Sequence, residues 1–181
     1  PLSKVRISGG GRCNVIHDPT KGIDFISKSY PRGERALKGP FSSKFGPTEA
    51  HEWFSSRGVT LKTEKDGRVF PDTDDSGTII GCLNKELKKY NISLWTQTKV
   101  SAIGNSDEGD SLSVSYSSVG GDQKKCILTA DRVIVATGSA RLGHEILKSL
   151  GHTIVEPAPS LFSFVVKGDN KLVELAGASV P

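Results

Sequence analysis

At 181 residues with a formal charge of +4, the chain is long enough for one domain with a core, or for one domain and part of another. No apolar run reaches the length that spans a bilayer and the mean hydropathy is slightly negative, so a soluble chain is expected. Cys13, Cys82 and Cys126 stand far apart and form no CxxC or Cys/His cluster, which argues against a zinc site or disulfide framework and fits a reducing compartment, the cytoplasm or an organellar stroma or matrix.

A short alternation, Val5-Arg6-Ile7, reads as a strand and begins only a few residues in. Methionine is absent throughout and Val180-Pro181 carries no stop signal, so the chain reads as a fragment whose natural N-terminus is out of view. Directly after the alternation comes Ser8-Gly9-Gly10-Gly11-Arg12-Cys13-Asn14. Three glycines in a row cannot be ordinary strand or helix interior; they reach positive φ without penalty and let another group approach the main chain. Their N–H groups can form an anion nest, Arg12 adds a planar cation, and Asn14 an amide that donates and accepts. A tight turn with a solvated arginine is the plainer alternative. Residues 1–46 hold nine Lys or Arg against three Asp or Glu, while the rest hold fifteen against seventeen. The basic excess thus surrounds the glycines, where it would steer an anionic ligand such as a phosphate-bearing cofactor. Nucleic acid is the weaker option, because the segment has no helical basic stripe and no recognisable binding motif.

From 18 to 46, repeated prolines and glycines allow only short helices, while Phe25, Ile26, Tyr30, Leu37, Phe41 and Phe45 anchor a folded excursion. Pro47 to Phe54 predicts a helix with a Thr48 cap, closed by Gly58. Its His51 is read as structural or exposed. Val59 to Glu64 and Arg68 to Pro71, joined through Asp66-Gly67, predict a β-hairpin. Asp72, Asp74 and Asp75 look like metal ligands at first, but they precede a helix, where acids favour the positive end of the dipole. No metal site is expected. Ile79, Ile80, Leu83, Leu87 and Tyr90 mark an amphipathic helix over 77–90, and Ile92 to Val100 alternates as a strand. Residues 101–130 predict an antiparallel meander inserted between parallel elements. Asp131 to Gly138 is a near-continuous apolar run, the pattern of a strand buried on both faces. Its small end, Ala136-Thr137-Gly138-Ser139, would let a ligand approach, since open α/β sheets bind beyond their strands' carboxyl ends. A helix over 140–150 and a strand over 161–166 complete the reading.

Taken together, Lys4-Val5-Arg6-Ile7-Ser8-Gly9-Gly10-Gly11-Arg12-Cys13-Asn14-Val15, Gly67-Arg68-Val69-Phe70-Pro71, Val133 to Gly138 and Leu150-Gly151-His152 resemble the HI0933-like (BaiN-type) flavoproteins in order and rough spacing. The resemblance implies an α/β fold: a partial three-layer FAD/NAD(P)-binding domain over 1–174, with a parallel sheet, the excursion 18–75 and the β meander. It makes 175–181 the start of a substrate domain, and places the GxGxxG unit upstream of Pro1. By the same resemblance Ser8, Gly9, Gly10, Gly11, Arg12, Cys13 and Asn14 line the flavin and pyrophosphate, and the Val100 backbone meets adenine. Ala136, Thr137, Gly138 and Ser139 pass near the pyrophosphate or ribose. The loop after Ala136-Thr137-Gly138 is shorter here than in many members, and His17 stands where a threonine is common. The implied function is an FAD-dependent oxidoreductase with a small-molecule substrate and NAD(P)H as a candidate electron donor. The alternative is a non-catalytic nucleotide-binding module of the same fold. No catalytic acid is identifiable. Cys13 beside Arg12 is a conceivable redox thiol, though it has no partner cysteine nearby.

Overall fold

The computed structural model describes residues 1–106, 109–120 and 124–158. The chain divides into two compact units, residues 1–96 and residues from 97 onward. The strand expected over 161–166 and the segment 175–181 lie outside the described residues.

The first unit is organised around two completely buried residues, Val69 and Phe70. They lie on β3 (Arg68–Pro71), the middle strand of a three-stranded antiparallel sheet whose edges are β1 (Ile16–His17) and β2 (Leu61–Thr63). The expected hairpin joins β2 to β3: Gly67 takes φ +87° and its N–H donates to the Glu64 carbonyl at 2.9 Å. Against the sheet lie α4 (Pro47–Ser55) and α5 (Ser76–Lys89). Asp75 caps α5, accepting from the Gly77 N–H at 2.7 Å, as expected of the acidic run, whereas Asp74 turns instead to Lys62 and Arg12. The cap of α4 differs from the expected Thr48. Gly46 precedes Pro47 at the first helical position and its N–H donates to Glu49 at 2.8 Å, leaving Thr48 already inside the helix. Between β1 and α4 the excursion forms α2 (Ile23–Ser27) and α3 (Glu34–Ser43), packed on each other.

Val5-Arg6-Ile7 is not a strand. It lies in a short helix, α1 (Ser3–Ile7), packed on α5 and tied there by the buried Ser76 hydroxyl, which donates to the Arg6 carbonyl at 3.0 Å. A three-residue alternation carries too little β signal to resist a partner that offers helix packing instead. Cys13, Val59, Ile79 and Cys82 form the core beneath, with Val5, Val15, Trp53 and Phe54 around them.

The second unit is the expected meander. β4 (Thr98–Asn105), β5 (Leu112–Ser118) and β6 (Cys126–Ala130) pair antiparallel in chain order, with an irregularity between Val100 and Ala102. α6 (Arg141–Ser149) packs on β4.

Two further expectations are corrected. Residues 92–97 are not strand, and 131–138 is irregular, with Ile134 90% exposed. A buried parallel strand requires a hydrogen-bonding neighbour on each side, and no described strand runs beside either segment. Among the described residues every pairing is antiparallel, so the parallel sheet expected of the three-layer arrangement is not what these segments build. The architecture is α/β, with helices around small antiparallel sheets.

Candidate functional site

The glycine stretch sits immediately before the core residue Cys13 and folds as a single 3-10 turn, Ser8–Gly11. Gly9, Gly10 and Gly11 take φ of +57°, +68° and +88°, and Cys13 follows at +63°. The turn closes through the Cys13 N–H, which donates to the Ser8 carbonyl at 2.9 Å. The glycines have different reasons to be glycine. A Cβ on Gly9 would stand 2.8 Å from the Asn14 nitrogen and 2.8 Å from Cε1 of Phe70, whereas one on Gly10 would meet no protein atom within 4 Å. Gly9 is required by packing. Gly10 presents bare, exposed backbone to an open space, the arrangement that allows close approach by a ligand.

Arg12 is committed elsewhere. Its Nη1 donates to Glu64 at 2.6 Å and to Asp74 at 3.4 Å, and its guanidinium lies 3.9 Å above the Phe70 ring. The hydrogen bond to Glu64 raises its proton affinity further. Asp74 in turn accepts from Lys62 at 2.5 Å, the larger of the influences that hold its carboxyl below the usual range, with Arg12 adding to it. The Arg12 charge is therefore balanced by the hairpin and by the loop before α5, and its main job is to clamp the glycine turn onto Phe70. Sequence reasoning missed Glu64 and Asp74 as partners; the one signal was the Gly67-Arg68-Val69-Phe70-Pro71 segment, whose phenylalanine turns out to be the platform beneath Arg12.

Cys13 is 5% exposed, and burial pushes its thiol pKa up, the opposite of an activated thiolate. Asn14 is exposed beside it. His17 stacks on Phe25 with ring centroids 5.6 Å apart.

In the second unit, Val100, Ala136 and Thr137 share one hollow of about 470 Å³, floored by apolar side chains including Ile103, Val114 and Ile146. Gly138 turns the chain at φ +59°, and Ser139 lines a separate hollow of about 440 Å³ beside His144 and Lys148. Thr137 also explains Gly143: a Cβ there would overlap the Thr137 side chain. No group of acidic, histidine or cysteine side chains suited to a metal occurs among the described residues. None of their helices is long and apolar enough to cross a membrane.

The family model described as the HI0933-like protein Rossmann domain matches residues 1–174. The chain belongs to the HI0933-like family. Among curated proteins, two relatives share its sequence at low identity. The chain is 26% identical over 172 residues to the 3-dehydro-bile acid delta(4,6)-reductase of Clostridium scindens, which covers 91% of this chain and 38% of that protein. It is 24% identical over 183 residues to the ribosomal RNA dihydrouridine synthase of Escherichia coli, which covers 100% of this chain and 44% of that protein. The chain thus spans about two fifths of the length of these relatives.

Proposed function

We propose that this HI0933-like chain contributes to an FAD-dependent oxidoreductase, with the glycine turn of the first unit as the element that a cofactor approaches. The observation that carries the reading is Gly10, a positive-φ residue with open space where its side chain would be, within a family match over 1–174. Taken each by itself, the two units fit parts of a dinucleotide in two respects. The exposed backbone of Gly10 allows a phosphate-bearing group to come close, and the hollow beside Val100, Ala136 and Thr137 has the size and apolar lining that suit a flat ring. In a third respect they do not, because Arg12 is already neutralised and offers no unpaired cation to a pyrophosphate.

When bound, FAD supplies hydride or electron transfer. The chain's own residues position and shield: Gly9 locks the turn against Phe70, Arg12 clamps it from the other side, and Cys13 anchors it in the core. One relative is named as a delta(4,6)-reductase and the other for making dihydrouridine. On that basis the reaction class we assign is saturation of a carbon–carbon double bond in a small molecule or a base, with NAD(P)H as electron donor. A non-catalytic nucleotide-binding module is the second reading. The observation on its side is that Arg12 and Cys13, the reactive-looking pair beside the glycines, are respectively paired and buried.

The test is the visible absorption spectrum of the natural protein that contains this sequence, before and after addition of FAD. A flavin band, lost in Gly10→Val while the fold is kept, supports the oxidoreductase. A protein that stays colourless after FAD is added and gel-filtered away overturns it.

A further inference from the structure

The excursion between β1 and α4 carries a surface that the cofactor reading does not use. Phe25, Tyr30 and Phe45 are 54%, 47% and 53% exposed. They are also grouped. His17, Tyr30, Phe41 and Phe45 border one hollow of about 220 Å³; Phe25 stacks on His17, and Tyr30 meets Phe41 edge-on at 6.0 Å. Such a hollow admits about one planar ring.

Cations accompany the rings. Residues 18–46 hold six Lys or Arg against three acids. Two of those acids, Asp24 and Glu34, are both engaged by Lys38, at 3.0 and 3.3 Å, and Asp18 accepts from the Thr20 hydroxyl and N–H within its own turn. Lys28, Arg35 and Lys44 are exposed and make no ion pair among the described residues, and Lys21 lies over the Phe25 ring at 6.0 Å. Exposed rings that can stack on bases, interleaved with uncommitted cations that can follow phosphates, are what a single strand of nucleic acid requires. A duplex offers no free base faces. A bilayer would need protruding apolar side chains, and here the rings border a hollow that includes the polar tips of His17 and Tyr30.

We propose that the excursion 18–46, with His17, is a docking surface for single-stranded RNA, the rings stacking on bases and Lys21, Lys28, Arg35 and Lys44 contacting phosphates. The proposal stands apart from the flavin reading, because none of its residues belongs to the glycine turn and none comes within 4 Å of where a Gly10 side chain would be.

The experiment is fluorescence anisotropy of a labelled, mixed-sequence single-stranded RNA 12-mer titrated with the 181-residue chain. Four phosphate contacts give a slope of log affinity against log salt of about −3. Phe25→Ala and Phe45→Ala, both at exposed positions, each weaken binding about five-fold or more. Lys28→Glu and Lys44→Glu each make the slope shallower, while Lys85→Glu on α5, the same charge change elsewhere, leaves it unaltered. Several results overturn the proposal. They are affinity unchanged in both the ring and charge variants, duplex RNA bound as tightly as single-stranded, tighter binding to a DNA 12-mer of the same sequence, and binding to phosphatidylserine vesicles with none to RNA.

Discussion

Alanine at Gly9 and at Gly10 separates what the fold demands of the glycine turn from what a ligand demands. Both positions lie in the left-handed region, at φ +57° and +68°, so each alanine carries a backbone strain of about 1–2 kcal/mol. Only at Gly9 does the new methyl meet protein, 2.8 Å from the Asn14 nitrogen and 2.8 Å from Cε1 of Phe70. The Phe70 ring is wholly buried and has Arg12 3.9 Å above it, so it cannot retreat, and overpacking adds about 1–3 kcal/mol. Gly9→Ala is therefore expected to cost about 2–5 kcal/mol and Gly10→Ala about 1–2 kcal/mol. The stiffening of the unfolded chain by alanine is common to both and drops out of the comparison. Urea unfolding followed by tryptophan fluorescence reads this directly, since both tryptophans, Trp53 and Trp95, belong to the first unit. With a slope of about 2 kcal/mol per molar, the midpoint falls by about 1–2.5 M for Gly9→Ala and about 0.5–1 M for Gly10→Ala. Equal midpoints for the two variants, or a Gly9→Ala chain as stable as the parent, would refute the packing argument at this turn.

Other outcomes follow from the same contacts. Hydrogen bonds hold Asp18, Asp66 and Asp74 below their ordinary carboxyl range, through Thr20, Arg68 and Lys62 respectively. Their stabilisation is complete above the unfolded carboxyl pKa of about 4 and is lost as pH falls through the lower folded values. The urea midpoint should accordingly be flat above about pH 5 and fall below about pH 4, with a shallower fall in Asp74→Asn; an acid limb of identical steepness in that variant would dismiss Asp74 as a contributor. Cys13 and Cys82 are buried with thiols pushed up by burial, and Cys126 is partly exposed, so a thiol reagent should label one cysteine quickly and two only on unfolding. Rapid native labelling of Cys13, located by peptide mapping, would contradict its place in the core. Arg57 donates through Nε to Glu86 at 2.7 Å and through Nη1 to the Trp53 carbonyl at 2.9 Å, while lying 4.0 Å over the indole. An ammonium cannot do all three, so Arg57→Lys should lower the urea midpoint and shift Trp53 emission despite keeping the charge. Unchanged emission and midpoint would show that charge alone matters there.

Local chemistry made much of this chain legible. α5 announces itself by apolar residues three and four apart and by an aspartate cap, both of which act within one helix. The Asp66-Gly67 hairpin and the meander depend on turn residues and neighbouring strands, so they too could be read in place. The glycine turn was recognisable because three successive residues without a Cβ restrict what the backbone can be. Its setting was not. Arg12 meets Glu64 across 52 positions, and nothing local says whether a cation will face a ligand or a carboxylate folded back upon it.

Two of the strand readings that failed show the same division. Val5-Arg6-Ile7 and the run 131–138 have suitable side chains, but a strand exists only where another backbone supplies its hydrogen bonds. α1 found its partner in α5, and 131–138 has no strand beside it among the described residues. Residue order therefore settles conformations whose energy is local: caps, turns, amphipathic faces and positive-φ glycines. Pairing, burial and the balance of charge at Arg12 are sums over distant groups, and they take a value only once the chain has brought those groups within a few ångströms of one another.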